Sequence, residues 1–240
     1  MPLRRSCLNC TTQGPHCFCS LDRVALQRMD GLGTWLRVAA GERVLIEGDA
    51  SDRVYVICRG TMKLSTSSQD GRLLILRIVG PGDVLGLAAA LERNPYEATA
   101  ETIDECEIKS IPRTQFLLFL EEFQAVSRNS VLAVARAYQS AVVSARRLAL
   151  AQNASAKLAG VLVEWGGLVL ASNHGEDEHP IANEVRFRMP LTHEELGHMA
   201  GISRETVTRV LSAFRKENLV RVEADLMVVP DLRRLQQQAH

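Results

Sequence analysis

The most informative stretch of this chain is LTHEELGHMAGISRETVTRVLSAFRKENL, residues 191–219. Thr192 and Glu195 form a capping box that begins one helix, and Gly201 supplies a turn that a β-carbon would obstruct. Ser203 then caps a second helix. The apolar positions of that helix recur at 3.6-residue spacing: Val207, Val210, Leu211 and Phe214. A helix, a glycine turn and a second capped helix predict a helix-turn-helix.

The opposite face of the second helix is polar, and its chemistry suits base edges in a DNA major groove. Arg204 and Arg209 can each donate two hydrogen bonds to guanine, while Glu205 can accept one from cytosine. The alternative is a solvated helix with an ordinary Glu205–Arg209 ion pair. The preceding helix and turn favour DNA binding. The predicted DNA-binding residues are Thr192, Ser203, Arg204, Glu205, Thr206, Thr208 and Arg209.

Three motifs in this region resemble the C-terminal winged helix of the CRP/FNR superfamily of bacterial transcription regulators. They are SRETVTRVL at 203–211, RKENLV at 215–220 and the strand pair RVEADLMVV at 221–229. The Arg-Glu-x-x-x-Arg pattern is similar to that of the cyclic-AMP receptor branch. This resemblance implies that Arg204, Glu205 and Arg209 read TGTGA-like half-sites in palindromic double-stranded DNA. It also implies RNA polymerase as a partner.

Residues 35–111 differ from the rest of the chain because short runs rich in β-branched residues alternate with glycines. This pattern predicts an antiparallel roll. The motifs EGD at 47–49, RGTMKL at 59–64 and PGDVLG at 81–86 resemble the cyclic-nucleotide-binding roll of the same superfamily. We therefore predict an α+β fold: an N-terminal β-roll of that type, a long dimerisation helix and a C-terminal winged helix-turn-helix.

The ligand pocket of this roll departs from the family pattern. Nucleotide-binding members hold the ribose and the cyclic phosphate with a Gly-Glu pair and an Arg-Ser pair. Here Leu87 follows Gly86, and Tyr96 and Glu97 stand at the Arg-Ser position. A glutamate would repel the phosphate that an arginine should bind. We expect no cyclic nucleotide as a ligand.

From Asn129 onward, apolar residues recur at spacings of three and four, which predicts a helix with a coiled-coil seam. The predicted dimer-interface residues are Val131, Val134, Tyr138, Ala141, Ala145 and Leu148. A helix packed on its own roll would also need an apolar stripe. The family resemblance favours a parallel homodimer, which two DNA half-sites require.

The predicted domains follow from these segments. They are a cysteine-rich segment at 1–22, the roll at 23–125, the dimerisation helix at 126–152 and the DNA-binding domain at 153–240. Asn153 or Ser155 is expected to cap the helix that follows the hinge.

Cys7, Cys10, Cys17 and Cys19 lie within thirteen residues, a spacing that favours metal or redox chemistry in a reducing cytoplasm. This run is similar to the N-terminal ligands of FNR-type oxygen sensors, and the resemblance implies a [4Fe–4S] cluster sensing oxygen, nitric oxide or redox state. In that family the roll supplies the fourth ligand at a position that corresponds to Lys109 here. The candidate ligands are Cys7, Cys10, Cys17, Cys19 and Cys106.

Cys106 precedes Lys109 by three residues, and an odd offset on a strand points a side chain to the opposite face. Either a bulge brings Cys106 to the cluster or all four ligands are N-terminal. We expect Cys58 to be a buried core thiol. Structural zinc, a thiol–disulfide switch and an unidentified small ligand in the roll remain open as alternatives to the cluster.

The chain carries 28 basic and 28 acidic residues, so attraction to DNA must come from local charge. Seven basic residues crowd the predicted DNA-binding domain: Arg186, Arg188, Arg204, Arg209, Arg215, Lys216 and Arg221. No apolar run is long enough to span a membrane, and a cytoplasmic location is expected. No nucleophile–base pair or phosphate-binding loop predicts an enzyme. A roll that regulates a partner protein through the winged helix is the competing function.

Overall fold

A computed structural model of the chain describes residues 6–10, 17–172, 184–223 and 226–239. The molecule consists of two compact units, Met1–Ala141 and Val142–His240. The boundary falls inside one 27-residue helix, α4, which covers Gln124–Leu150. This helix begins two residues before the dimerisation helix that the sequence predicts.

The first unit contains two four-stranded antiparallel sheets, as the glycine-punctuated runs predict. Their strands are β1 Thr34–Val38, β2 Arg43–Leu45, β3 Arg53–Arg59, β4 Met62–Ser67, β5 Leu73–Val79, β6 Val84–Leu85, β7 Thr99–Thr102 and β8 Cys106–Pro112. One sheet has the order β1-β8-β3-β6 and the other β2-β7-β4-β5. The expected antiparallel roll is therefore confirmed.

Short helices surround these sheets. They are a 3-10 turn at Cys7–Asn9, α1 at Arg23–Asp30, α2 at Leu87–Glu92 and α3 at Arg113–Glu122. The Asp22 carboxylate accepts the backbone N–H of Ala25 at 2.8 Å and so begins α1.

Two hydrophobic cores lie on opposite faces of the sheet that contains β3, because successive side chains of a strand point to opposite faces. Val54 and Val56 face a core that we call the outer core, while Tyr55 and Ile57 face an inner core between the two sheets. The outer core also contains Cys7, Cys17, Phe18, Cys19, Met29, Phe116 and Phe119. The described parts of the cysteine-rich segment, residues 6–10 and 17–22, therefore lie on the outer face of the β1-β8-β3-β6 sheet.

The second unit is a winged helix. Its elements are α5 Ala154–Ser172, β9 Val185–Arg188, α6 His193–Ala200, α7 Arg204–Lys216, β10 Arg221–Glu223, β11 Leu226–Val229 and α8 Leu232–Gln238. The Asn153 carboxamide oxygen accepts the backbone N–H of Ala156 at 2.9 Å, which confirms Asn153 as the cap of α5. The predicted strand pair forms the antiparallel β10–β11 ladder, and β9 joins β11. Across the described ranges, no helix is both long and apolar enough to cross a membrane.

A buried ion pair joins three helices of this second unit. The Arg147 guanidinium on α4 pairs with the Glu164 carboxylate on α5. It also donates to the backbone oxygen of Met199 on α6 at 3.3 Å. Arg147 therefore fixes the first helix of the helix-turn-helix against the end of α4.

Candidate functional site

The helix-turn-helix is set by local hydrogen bonds at the start of each helix. The Thr192 hydroxyl accepts the Glu195 backbone N–H at 3.2 Å, and the Glu195 carboxylate accepts the Thr192 backbone N–H at 2.9 Å. Gly201 ends α6 in the left-handed conformation, with φ of 65°. A β-carbon at Gly197 would lie 2.6 Å from the backbone oxygen of Ile202, so α6 and the turn approach closely only with glycine there.

The helix α7 buries one face and leaves the other open. Val207, Val210, Leu211 and Phe214 are buried, as the spacing predicts. Arg204, Glu205 and Arg209 are exposed. Among the described residues, neither the Arg204 nor the Arg209 side chain forms an ion pair or hydrogen bond, so the alternative Glu205–Arg209 pair does not form. Both guanidinium groups can therefore donate to an external acceptor.

Glu205 lies in the first turn of α7, and its carboxylate faces helix N–H groups. A hydrogen bond from its own backbone N–H lowers the pKa of Glu205, and the Ser203 hydroxyl and Arg204 add to the effect. Glu205 is therefore an ionised acceptor at neutral pH.

The hydroxyl residues of the predicted site already have intramolecular partners. Ser203 accepts the Thr206 backbone N–H at 3.2 Å, and the two hydroxyl groups lie 3.1 Å apart. The Thr208 hydroxyl donates to the Arg204 backbone oxygen at 3.1 Å and lies 2.9 Å from Nδ1 of His193. Thr192, Ser203 and Thr206 thus mark helix N-termini, and Thr208 joins α7 to α6.

The wing changes the charge pattern that the sequence predicts. Arg186 pairs with Glu184 at 2.7 Å and with Glu223 at 3.2 Å. Arg221 lies within 4 Å of the same two carboxylates. Arg186 and Arg221 are therefore neutralised within the wing. Among the described residues, Arg204 and Arg209 on α7 have no such ion pair.

The helix α4 has two apolar faces. Ala133 and Ala137 line a cleft in the roll. Val131, Val134, Tyr138, Ala141 and Ala145 are exposed, with Tyr138 at 69%, and Leu148 is half-buried. One face therefore packs on the roll. The predicted seam is mostly uncovered, but Val134 also borders the roll cleft.

The roll cleft beside α4 has a volume of about 60 Å³, enough for a few water molecules. Leu87 and Tyr96, which replace the polar residues of nucleotide-binding members, are both buried. The Tyr96 hydroxyl donates to the Arg53 backbone oxygen at 2.8 Å. Burial, with Tyr55 beside it, raises the pKa of Tyr96 to about 12. Tyr96 is thus a neutral phenol fixed to β3.

The N-terminal cysteine segment is bound to the roll at both ends. The Cys7 backbone N–H donates to the Asp30 carboxylate at 2.8 Å, and the Ser6 hydroxyl donates to it at 3.0 Å. The Phe18 backbone N–H donates to the Gly82 oxygen at 2.9 Å. A β-carbon on Gly82 would lie 2.5 Å from the Cys17 sulfur. The segment therefore packs directly on the β5–β6 turn.

Two roll residues, Cys58 and Lys109, interact with the N-terminal cysteine segment. Lys109 is fully buried, its Nζ donates to the Asp30 backbone oxygen at 2.9 Å, and it lies 4.6 Å from the Trp35 ring centroid. Burial lowers the pKa of Lys109, and the nearby Cys7, Cys58 and Cys19 thiols oppose that shift. Lys109 therefore lies near enough to Cys7, Cys19 and Cys58 for their charges to act on it.

Cys106 lies on the other side of the sheet. Its sulfur is in the inner core, 3.4 Å from the Thr61 backbone oxygen. The irregular pairing of β3 with β8 falls between Ile57 and Arg59, at Cys58, rather than at Cys106. The structure therefore does not bring Cys106 together with Cys7, Cys10, Cys17 and Cys19. This geometry follows the odd offset between Cys106 and Lys109.

Burial keeps the Cys7 and Cys58 thiols neutral. It is the largest cause that raises their pKa values to about 12, and the charge of the nearby Cys10 contributes to both shifts. A hydrogen bond with Cys17, then burial, raises the pKa of Cys19. Within the described ranges, no three His, Cys, Asp or Glu side chains stand in positions that could hold a metal ion. The thiols bond to one another and to Asp30 instead.

Sequence reasoning missed three residues of this site: Cys58, Asp30 and Asn129. The Asn129 side chain, only 6% exposed, donates to the backbone oxygens of Phe18 at 3.0 Å and Ser20 at 2.9 Å. A polar residue on the apolar side of the α4 pattern was the available signal for Asn129. Asp30 and Cys58 carried no local signal, because contacts between segments distant in sequence bring them to the site.

Comparison with known proteins supports both units. The family "Cyclic nucleotide-binding domain" matches residues 35–123, and "Crp-like helix-turn-helix domain" matches residues 156–238. The chain is 30% identical over 205 residues to the CRP-like cAMP-activated global transcriptional regulator of Mycobacterium tuberculosis, covering 83% of this chain and 85% of that protein. It is 24% identical over 220 residues to the nitrogen fixation regulation protein FixK of Bradyrhizobium diazoefficiens, covering 90% and 86%.

A solved structure gives the same fold. The structure of FixK2 from Bradyrhizobium japonicum matches with a TM-score of 0.71 at 21% identity, covering 87% of this chain and 98% of that one.

Proposed function

Because this chain belongs to the CRP/FNR superfamily and is a DNA-binding transcription regulator of that type, we propose that it acts as a homodimer that senses oxygen, nitric oxide or redox state. The superfamily consists of transcription regulators, not enzymes. The observation that carries the DNA-binding part is the exposed face of α7, where both guanidinium groups are unpaired among the described residues.

The base contacts come from the first two turns of α7. Arg204 and Arg209 donate to guanine, and the ionised Glu205 accepts from cytosine. This set suits a TGTGA-like half-site. A partner-protein interface has little use for two unpaired arginines flanking a carboxylate, because desolvating them without a matching anion is costly.

The backbone contacts come from helix N-termini. Thr192 begins α6, and Ser203 and Thr206 lie at the start of α7. Free N–H groups at such ends bind phosphate. Thr208 lies one turn further along the exposed face. These residues place α7 in the groove, while RNA polymerase is the protein partner through which such a regulator acts.

The uncovered seam of α4 is the proposed dimer interface. Its residues are Val131, Val134, Tyr138, Ala141, Ala145 and Leu148, and most of them are exposed apolar side chains. Pairing two copies would bury this surface and place two α7 helices against two half-sites.

The sensory input is assigned to the N-terminal thiols, Cys7, Cys10, Cys17 and Cys19. Thiols are the donors that iron–sulfur clusters require, and the buried Lys109 ammonium offsets the negative charge of several thiolates. Thiolates around a cluster also stand farther apart than those around one ion, because the cluster occupies the centre. When bound, the cluster supplies redox and oxygen-reactive chemistry. Zinc or thiol–disulfide exchange would use the same thiols.

Asn129 connects this segment to the dimer helix. Its amide holds the backbone on both sides of Cys19, and Val131 begins the seam two residues later. A rearrangement of the thiol segment therefore acts first on the start of α4.

The test combines DNA binding with iron analysis. We expect protein purified without oxygen to contain about four irons and four sulfides per chain.

We expect Arg209→Ala to lose about 1–3 kcal/mol per half-site in discrimination between a TGTGA palindrome and a scrambled duplex. Arg215→Ala, on the same helix, is the matched control and should weaken binding to both duplexes alike. An unchanged discrimination ratio in Arg209→Ala would refute the base contact.

The sensory part has its own variant. We expect Cys7→Ser to fold and bind DNA but to lose any difference between anaerobic and air-exposed protein. A retained oxygen response would exclude the N-terminal thiols as the sensor.

A further inference from the structure

Arg77 projects from the inward face of the β2-β7-β4-β5 sheet. It stands opposite Leu64 in the β4–β5 ladder, and directly opposed residues of two strands lie on the same face of a sheet. Leu64 packs against the inner core, and Val79, two residues after Arg77 on β5, belongs to that core. An arginine therefore occupies a row of side chains that is otherwise apolar.

The Arg77 guanidinium carries a positive charge that no described residue matches. The side chain is half-buried. It forms no ion pair or hydrogen bond with any residue that the structure describes, although a guanidinium has five N–H donors. Withdrawing a charge from water is costly unless the charge is paired and hydrogen-bonded. The position therefore favours an anion from outside the chain.

Arg77 lines the cleft between the roll and α4, and most of that cleft is apolar. Leu45, Leu64 and Leu85 line it from the roll, and Ala137 lines it from α4. The volume of about 60 Å³ admits about four to six water-sized groups, at about 10–15 Å³ for each. A ligand of four to six non-hydrogen atoms fits this space, whereas a cyclic nucleotide is far larger.

The lining also selects the charge and the shape of the ligand. A guanidinium binds a planar carboxylate through two parallel hydrogen bonds, and the apolar walls suit a short alkyl group. Glu97 is the other charged residue of the lining, and it is exposed. The strand β4 separates β5 from β7, the strand that follows Glu97, by two strand spacings of about 4.8 Å each. Glu97 thus leaves Arg77 unpaired, and its charge disfavours a dianion such as phosphate.

We propose that this cleft binds a short-chain monocarboxylate of four to six non-hydrogen atoms, with Arg77 holding the carboxylate and the leucine walls holding the alkyl group. The N-terminal cysteines are not part of the cleft lining. The site is therefore separate from the proposed thiol sensor and stands or falls independently of it. Val134 borders the cleft and also belongs to the proposed dimer seam, so the ligand lies against the helix that pairs the two copies.

The test is isothermal titration calorimetry of the full-length protein with propionate at constant ionic strength. We expect saturable binding at one site per chain. Arg77→Met keeps the length of the side chain and removes its charge, so the Kd should rise about 10- to 100-fold. Arg72→Met is the matched control, because Arg72 is exposed, lies outside the cleft and pairs with Asp70. Its Kd should equal that of the wild type.

A second variant removes the space rather than the charge and keeps the proposal testable if Arg77→Met fails to fold. Ala137→Leu extends a side chain into the cleft from α4 and should abolish propionate binding. Ala135→Leu places the same side chain on an exposed part of α4 outside the cleft and should bind as the wild type does. Circular dichroism and the melting temperature verify the folding of each variant.

Nitrate, a planar oxyanion without an alkyl group, tests the ligand class. We expect it to bind about tenfold more weakly than propionate, since only propionate buries apolar carbon. Equal affinity for the two anions overturns the assignment to carboxylates. Wild-type protein without saturable binding, or an unchanged Kd in Arg77→Met, overturns the site itself. Arg77 is then an inward-pointing charge that protects the edge strand β5 from pairing with other chains.

Discussion

Removing the Asn129 amide should release the cysteine segment without unfolding the roll. Asn129 is buried on α4, and its Nδ2 group makes two hydrogen bonds, to the backbone oxygens of Phe18 and Ser20. These oxygens flank Cys19 along the chain. The substitution Asn129→Ala deletes both donors and leaves two acceptors facing an apolar methyl group.

The size of the effect follows from these two bonds. A net hydrogen bond contributes about 0.5–1.5 kcal/mol, and an unsatisfied buried acceptor costs about 1–3 kcal/mol. We take about 2–3 kcal/mol for the loss of both hydrogen bonds, since the bond to the Ser20 backbone oxygen is only partly buried. Each 1.4 kcal/mol is about a tenfold change in an equilibrium constant, so the open population of the segment should rise about 30- to 150-fold.

Thiol alkylation of the metal-free protein measures this opening. Cys17 and Cys19 are buried, so their reaction with iodoacetamide requires the segment to open, and mass spectrometry can follow each site. We expect both rates to rise by the factor above in Asn129→Ala. Cys106, in the inner core, is the internal control and should keep its wild-type rate.

The matched variant is Ser130→Ala. Ser130 is buried next to Asn129, and its hydroxyl has no hydrogen-bond partner among the described residues. Its removal should leave the alkylation rates unchanged. Equal rates for Cys17 and Cys19 in Asn129→Ala and the wild type would refute the role of Asn129, and a parallel rise at Cys106 would indicate general unfolding.

Three further predictions test other parts of the molecule. Arg147→Ala leaves the Glu164 carboxylate without its buried partner and should cost about 3–5 kcal/mol in the second unit, measured by denaturant unfolding. The double variant Arg147→Met/Glu164→Leu should recover much of that loss, and no recovery would contradict the ion-pair explanation. Tyr138→Asp places a charge in the exposed seam and should shift sedimentation toward the monomer, whereas an unchanged dimer would locate the interface elsewhere. Titration calorimetry with cyclic AMP should show no binding, because Tyr96 fills the phosphate position beside Glu97, and saturable heat would disprove this.

The helix-turn-helix could be predicted from sequence because its determinants are local. Thr192, Glu195 and Ser203 act within three residues of their positions, and the apolar face of α7 follows from helical spacing alone. The long helix and the roll strands were predictable for the same reason. The strand β9 was missed, although the alternating burial of Val185–Arg188 matches its alternating apolar and charged residues.

The cysteine site depends on pairing between distant strands, and this is where sequence reasoning stopped. The odd spacing between Cys106 and Lys109 predicted that their side chains lie on opposite faces of β8, because alternation along one strand is a local property. The same reasoning could not predict the surroundings of Cys58, since the irregular pairing at Cys58 is visible only in the register of β3 against β8. It also could not anticipate Asp30, which accepts from Cys7 and Ser6 across more than twenty residues of chain.

The helix α4 brings the proposed input and output together within ten residues. Asn129 holds the thiol segment, Ala133 and Ala137 contact the roll, and Val131 and Tyr138 face outward for pairing. A helix turns once in about 3.6 residues, so these three faces belong to the same three turns and cannot move separately. Any shift of the thiol segment that displaces Asn129 must therefore rotate or translate the seam as well. We expect the sensory signal to alter dimer geometry before it reaches α7.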